Sequence, residues 1–318
     1  MPANLENYHK FLKSQVDRLG SFQFDTETLL WHYTNGPGLL SILSSGTIYS
    51  TQVSCLNDSS EIRYGQVLFQ KALTESIASF TGDDRVKQFA VCYLKLIEEA
   101  ATLIAPPHAP SPFFVTCFSS EDDELSTWRA YGPGQKGYAI AFKANRLFNS
   151  PNALLKVNYD AKVHKELATE VVAATLKFYE EGLQGKQPQE IPAWDEEFIQ
   201  VWESRVTYLS PLVKDPGFRA ENEYRILHEF AIGELPKMVI LQKETMMTRH
   251  IPLSFPLGGE AWVPRLQIEK VMVGPCRHPA VTGISVDTMP AKDGLRRWQS
   301  RAFRQTAARD VSFRGLLS

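Results

Sequence analysis

Two groups of chemically capable side chains lie far apart in this chain of 318 residues. The first is His32-Tyr33-Thr34, which closes the short apolar run Leu29 to Tyr33 and is followed by Gly36-Pro37-Gly38. An imidazole, a phenol and a hydroxyl where a strand opens into a loop offer three hydrogen-bonding groups to a ligand. They also suit plain packing and hydrogen bonding at a strand end. The second group is Arg219, Glu221, Glu223 and Arg225, at alternate positions of an expected long strand from Phe218 to Ile232. Alternation puts these four and Leu227 on one face, and carboxylates at i and i+2 stand about 7 Å apart. Such carboxylates repel, so at least one needs a cation, a donor or a raised pKa. One reading is a carboxylate held for catalysis. The other is a ladder of surface salt bridges, which the segment by itself favours. The opposite face, Phe218, Ala220, Asn222, Tyr224 and Ile226, is the expected core face.

Asn57-Asp58-Ser59-Ser60-Glu61 forms a further candidate. Asp58 or Ser59 can cap a helix that has Glu61 in its first turn. Asn57 and Asp58 therefore suit a turn and cap as well as a ligand. Cys117 has no visible base partner, and Trp128 and Tyr131 share one helical face that is most simply core. No GxGxxG, P-loop, HExxH or GxSxG motif is present, which disfavours four common enzyme architectures.

The elements that must position these residues follow from periodicity. Residues 1–24 suit an amphipathic helix with Tyr8, Phe11, Leu12, Val16 and Leu19 inward. A strand–helix–strand unit follows, from Leu29 through a helix of Leu39, Leu40, Ile42 and Leu43, stopped by Gly46, to Thr47–Ser50. Further helices are expected from about Ser59 past Leu73, from about Asp83 to Ile104, at 125–131, at 162–181 and at 195–209. Strands are expected at 113–119, 137–142, 154–159, 218–232, 238–241, 248–253 and 268–273. Gly182 to Pro192 is an expected surface loop. The order predicts an α+β fold with a mixed, mainly antiparallel sheet and inserted helices. We expect a single domain over 1–318, with the helix at 1–24, a core over 25–290 and a basic tail over 291–318.

Composition is ordinary, 43% hydrophobic and 22% charged, with net charge -2. Nothing global points to nucleic acid or an anionic membrane. The tail from Lys292 onward is the exception, with seven basic and two acidic residues. It suits nucleic acid, a partner protein or a solvated helix. No signal peptide or span-length apolar run is present, and Cys55, Cys92, Cys117 and Cys276 form no CxxC pair, so a reducing cytoplasm is expected.

Taken in order, His32-Tyr33-Thr34, Leu56-Asn57-Asp58-x-x-Glu61, Cys117-Phe118-Ser119, Leu125-x-x-Trp128-x-x-Tyr131, Gly137-x-x-x-x-Phe142 and Glu221-x-Glu223-x-Arg225 resemble the bacterial domain-of-unknown-function 2971 family, from about Leu29 to Cys276. Asn57-Asp58-Ser59 departs from the family's Asn-Asp-Pro. The opening strand–helix–strand also resembles ADP-ribosyltransferase folds, which have a split sheet. That second resemblance implies NAD as a substrate. It implies His32 on the adenosine-side ribose, Tyr33 stacked on nicotinamide, and Glu223 or Glu221 as the catalytic carboxylate. Thr34, Asn57, Asp58 and Arg225 complete the expected ligand-binding set, with no resident metal. The acceptor would be a protein, a nucleic acid or water, and a toxin or anti-phage effector would fit this chemistry. Two other readings remain open. One is a metal-dependent nuclease or phosphodiesterase using Asp58, Glu61, Glu221 and Glu223. The other is a non-catalytic sensing or binding module.

Overall fold

In the computed structural model, the first helix, α1 (Ala3–Gly20), turns Tyr8, Leu12, Val16 and Leu19 inward. The structure describes residues 3–56, 59–102, 113–131, 137–148, 153–230, 237–243, 246–253, 268–276 and 300–301. Asn57, Asp58 and the basic tail, apart from Ser300 and Arg301, lie outside them. After α1 come β1 (Leu29–Asn35), α2 (Gly36–Ser45) and β2 (Ile48–Gln52). The Asn35 side chain caps α2 by accepting from Gly38 N–H, and Gly46, at φ 69°, ends it in the left-handed region. The chain continues through α3 (Ser59–Ser79), α4 (Asp84–Thr102), β3 (Phe113–Ser119), α5 (Leu125–Tyr131), β4 (Gly137–Lys143) and α6 (Ala144–Phe148). β5 (Ala153–Lys156), α7 (Ala161–Leu183) and α8 (Ile191–Leu209) precede β6 (Glu223–Glu229), β7 (Val239–Lys243), β8 (Met246–Leu253), β9 (Lys270–Val273) and the two-residue β10 (Ser300–Arg301).

The fold is α+β, and among the described residues all but one of the strand pairings are antiparallel. Strand β3 is its branching point. One edge of β3 pairs along its full length with β6, which also pairs with β5. The other edge meets β1 at Trp31↔Ser119 and β2 at Thr51↔Val115 and Gln52↔Phe114. Two arms leave this fork, β1–β4–β9 and β2–β8–β7. Helices cover both faces. Residues of α1, α3, α4, α7 and α8 pack with Phe113, Val115, Leu155 and Leu227 on one face. On the other, Leu39, Ile42 and Leu43 of α2 pack with Leu30, Phe118, Ile140, Phe142 and Ile226. Each such side chain fully buried contributes roughly 1.5–3 kcal/mol.

Three expectations need correction. The long strand from Phe218 is instead a 3-10 turn, Pro216–Glu221, followed by Asn222 at φ 40° and then the seven residues of β6. Asp215 accepts from Gly217 N–H and starts the turn. Within β6, the side expected to face solvent is buried: Glu223, Arg225 and Leu227 are 5%, 1% and 3% exposed. Helices on both faces of the sheet are the reason, since a strand covered twice has no solvent side. The expected loop 182–192 is largely structured, because α7 runs to Leu183, a 3-10 turn fills Pro188–Glu190 and α8 begins at Ile191.

Candidate functional site

The chemistry gathers at two neighbouring places along β3. At the fork, β3 residues 116–118 face neither β1 nor β2 in the described ladders, and side chains reach into the gap. His32 Nδ1 lies 2.9 Å from the Cys117 carbonyl oxygen. A carbonyl only accepts, so Nδ1 carries a proton and donates. Ser50 and Thr116 hydroxyls meet at 2.8 Å, and Thr116 Oγ1 donates to Tyr49 O. The His32 ring also packs against Phe118. Tyr33 points the other way. Its hydroxyl donates to Glu121 O at 2.7 Å, and its ring meets Trp128 edge-on. Burial pushes the Tyr33 phenol well above its ordinary range, so it stays protonated and donating.

The register settles the faces. Trp31 lies opposite Ser119, and Ser119 opposite Glu223. Trp31, Tyr33, Ser119 and Glu223 therefore share one face, and His32 and Thr34 lie on the other. A Cβ on Gly38 would lie 2.1 Å from Thr34 Oγ1, so a larger residue there would force the Thr34 side chain to turn.

At the start of β6 lies a buried cluster of four charges. Arg225 grips Glu223 with two bonds, Nε to Oε1 at 3.0 Å and Nη2 to Oε2 at 2.7 Å. Lys214 Nζ donates to Glu223 Oε2 at 3.2 Å and also pairs with Glu221 Oε2. Two cations thus balance two anions. Backbone and ring partners complete the frame. Arg225 Nη1 donates to Pro211 O at 2.8 Å, Glu223 N–H donates to the Tyr159 hydroxyl at 3.1 Å, and Lys214 Nζ lies over the Phe218 ring. Burial by itself would raise the Glu223 pKa, but the charges of Arg225 and Lys214 outweigh it and hold the carboxyl at about 2. Glu223 is therefore an ionised framework anion with both oxygens engaged. The expected surface ladder is a buried network instead. Glu221 is the more open carboxylate, its side chain 17% exposed against 6% for Glu223.

Ser119 ties the two places together. Its hydroxyl donates to Glu221 O at 2.6 Å and accepts from Glu121 N–H, and Glu121 O receives the Tyr33 hydroxyl. So Tyr33, Glu221 and Glu223 come together around the end of β3, while His32 lies across the sheet. Among the described residues, no three His, Cys, Asp or Glu side chains are placed to hold a metal ion. Nor is any helix among them long and apolar enough to cross a membrane.

The profile of the family described as a protein of unknown function, DUF2971, matches residues 127–226. Over that stretch the chain is similar to this family, and the match covers 100 of its 318 residues. The match spans Trp128, Gly137, Phe142, Glu221, Glu223 and Arg225, whereas His32, Tyr33, Thr34 and Cys117 lie before it. No curated protein and no solved structure matches the chain. Within the matched stretch, sequence reasoning passed over Lys214 and Tyr159. The signal for Lys214 was the demand of two neighbouring carboxylates for a cation. Its position in the irregular run Pro211-Leu212-Val213-Lys214-Asp215-Pro216 hid it, because no periodicity there shows which way a side chain points.

Proposed function

We propose that the protein consumes NAD, breaking the bond between nicotinamide and ribose and passing ADP-ribose to a macromolecular acceptor or to water. The fork in the sheet carries this reading: β3 is shared by two diverging arms, and His32 stands at their parting with its ring oriented by the Cys117 carbonyl. A split sheet with a strand-end His-Tyr pair is what the ADP-ribosyltransferase resemblance implies. In this reading Glu221 is the catalytic carboxylate, because the two oxygens of Glu223 are taken up by Arg225 and Lys214. A fixed carboxylate stabilises positive charge as it grows at the anomeric carbon. Glu223 and Arg225 position the start of β6, and Tyr33, buried against Trp128, holds the turn after β3 through its bond to Glu121 O. The test is nicotinamide release from NAD by the full chain, beside Glu221→Gln and His32→Ala. Losses of about 100-fold or more are expected in Glu221→Gln, the scale of removing one electrostatic stabiliser. A wild type that releases no nicotinamide ends the proposal.

A second reading has its own observation. His32 lies on the opposite face from Tyr33 and Glu223. That arrangement favours a binding module in which the charge cluster is framework alone. NAD or ADP-ribose bound without turnover, and unchanged by Glu221→Gln, would select it.

A further inference from the structure

A groove of about 820 Å³ lies beside the charge cluster, walled by the end of α1, the β5–α7 connection, the acidic turn after β3 and the 3-10 turn before β6. Three cations line it from three separate elements: Arg18, Lys156 and Arg219. Three carboxylates line it as well, and each already accepts bonds from its surroundings. Asp160 caps α7 through the N–H groups of Lys162 and Val163. Glu124 accepts from the Ser126 N–H and hydroxyl, and Glu121 accepts from the Asn222 amide.

The cations are less committed. Among the described residues, Arg219 gives one hydrogen bond, from Nη2 to Tyr159 O, and its charge also acts on Asp160, while the Lys156 ammonium lies 5.5 Å above the Tyr224 ring. Arg18 pairs with Glu170, but both side chains are about half exposed, and such a pair is easily traded for another anion. A forked guanidinium and an ammonium with donors to spare match a phosphate. Beside them, Asn158, Asn222 and the remaining lone pairs of Glu121 and Glu124 match hydroxyl groups. The volume falls within the usual range for a small-molecule site.

We infer that this groove binds a phosphate ester of a polyhydroxy compound, the ribose-phosphate class. The phosphate sits between Lys156 and Arg219 with Arg18 at the rim, and the hydroxyls meet Asn158, Asn222 and the two glutamates. This needs no NAD cleavage, so failure to release nicotinamide leaves it standing, and the reverse holds.

Calorimetric titration of the full chain tests it, with ribose 5-phosphate and ADP-ribose as ligands and inorganic phosphate and free ribose as controls. At least one ester should bind about tenfold or more tighter than inorganic phosphate, and free ribose should not bind. The tighter of the two esters identifies whether a sugar phosphate or a nucleotide is the source. The double variant Lys156→Gln/Arg219→Gln should weaken that ester about tenfold or more with its melting temperature unchanged. Three outcomes would overturn the inference: no ester binding at millimolar concentration, inorganic phosphate binding as tightly as the esters, or unchanged binding by the double variant.

Discussion

Replacing Glu223 with glutamine keeps the shape of the side chain and removes its charge. Lys214 and Arg225, 2% and 1% exposed, then remain buried with one anion fewer between them. Breaking a buried ion pair from one side costs about 3–5 kcal/mol. Titration gives a second route to the magnitude. A carboxyl held at about 2 in the fold rather than near 4.5 contributes about 3 kcal/mol of stability at neutral pH. The folded pKa is the lower one, so this contribution is complete above about 4.5 and is lost as pH falls towards 2. At pH ~3 less than half of it remains. The difference between wild type and Glu223→Gln should therefore shrink by about 2 kcal/mol between pH ~7 and pH ~3. Urea titrations of both proteins at the two pH values measure it, provided the slopes agree. A difference under about 1 kcal/mol at neutral pH, or one that does not change on acidification, would refute the reasoning. Glu170→Gln is the surface comparison and should cost less than about 1 kcal/mol.

Other outcomes follow from the same geometry. Tyr33→Phe keeps the ring against Trp128 and loses the bond to Glu121 O, a cost of about 1 kcal/mol by urea titration. His164 is buried, with Nε2 donating to Asn158 O and Nδ1 accepting from the Tyr64 hydroxyl, and burial pushes its pKa down. Its neutral form is thus the folded form, and stability should fall as pH drops below about 6.5. In His164→Gln that part of the pH dependence of melting should flatten. Gly65 lies where α3 crosses the 3-10 turn at Ser210, and a Cβ there would meet Ser210 Cα at 2.9 Å. Gly65→Ala should cost about 1–3 kcal/mol and disturb Pro211 O, the acceptor for Arg225.

Local patterns made much of this fold legible. The apolar run 113–119 is β3 at its full length, and α5 occupies the expected 125–131. Gly46 stops α2 by the left-handed geometry that glycine favours. What failed was the reading of 218–232, and the cause lies in two kinds of information that alternation does not carry. Pro216 and Gly217 begin a turn whose cap, Asp215, lies outside the window of the expected strand. The faces of β6 depend on α3, α7 and α8 covering what a simple two-sided strand would leave open. Of the candidate site, the residue types and the need for a cation were readable. The division of His32 from Tyr33 was implicit in strand alternation, but Lys214 required the tertiary fold.

The branching of the sheet also sets a schedule for making the protein. β3 waits for its long-edge partner until Glu223 to Glu229 are synthesised, about 100 residues after Ser119. At ribosomal rates of roughly 5–20 residues per second, that edge stands open for about 5–20 s. An unpaired edge of seven apolar and small polar residues is a template for pairing with another nascent chain. The arrival of Glu223 and Arg225 closes β3 and adds the second of the two anions that Lys214 pairs with, so completing the lysine's surroundings and sealing the strand become one event.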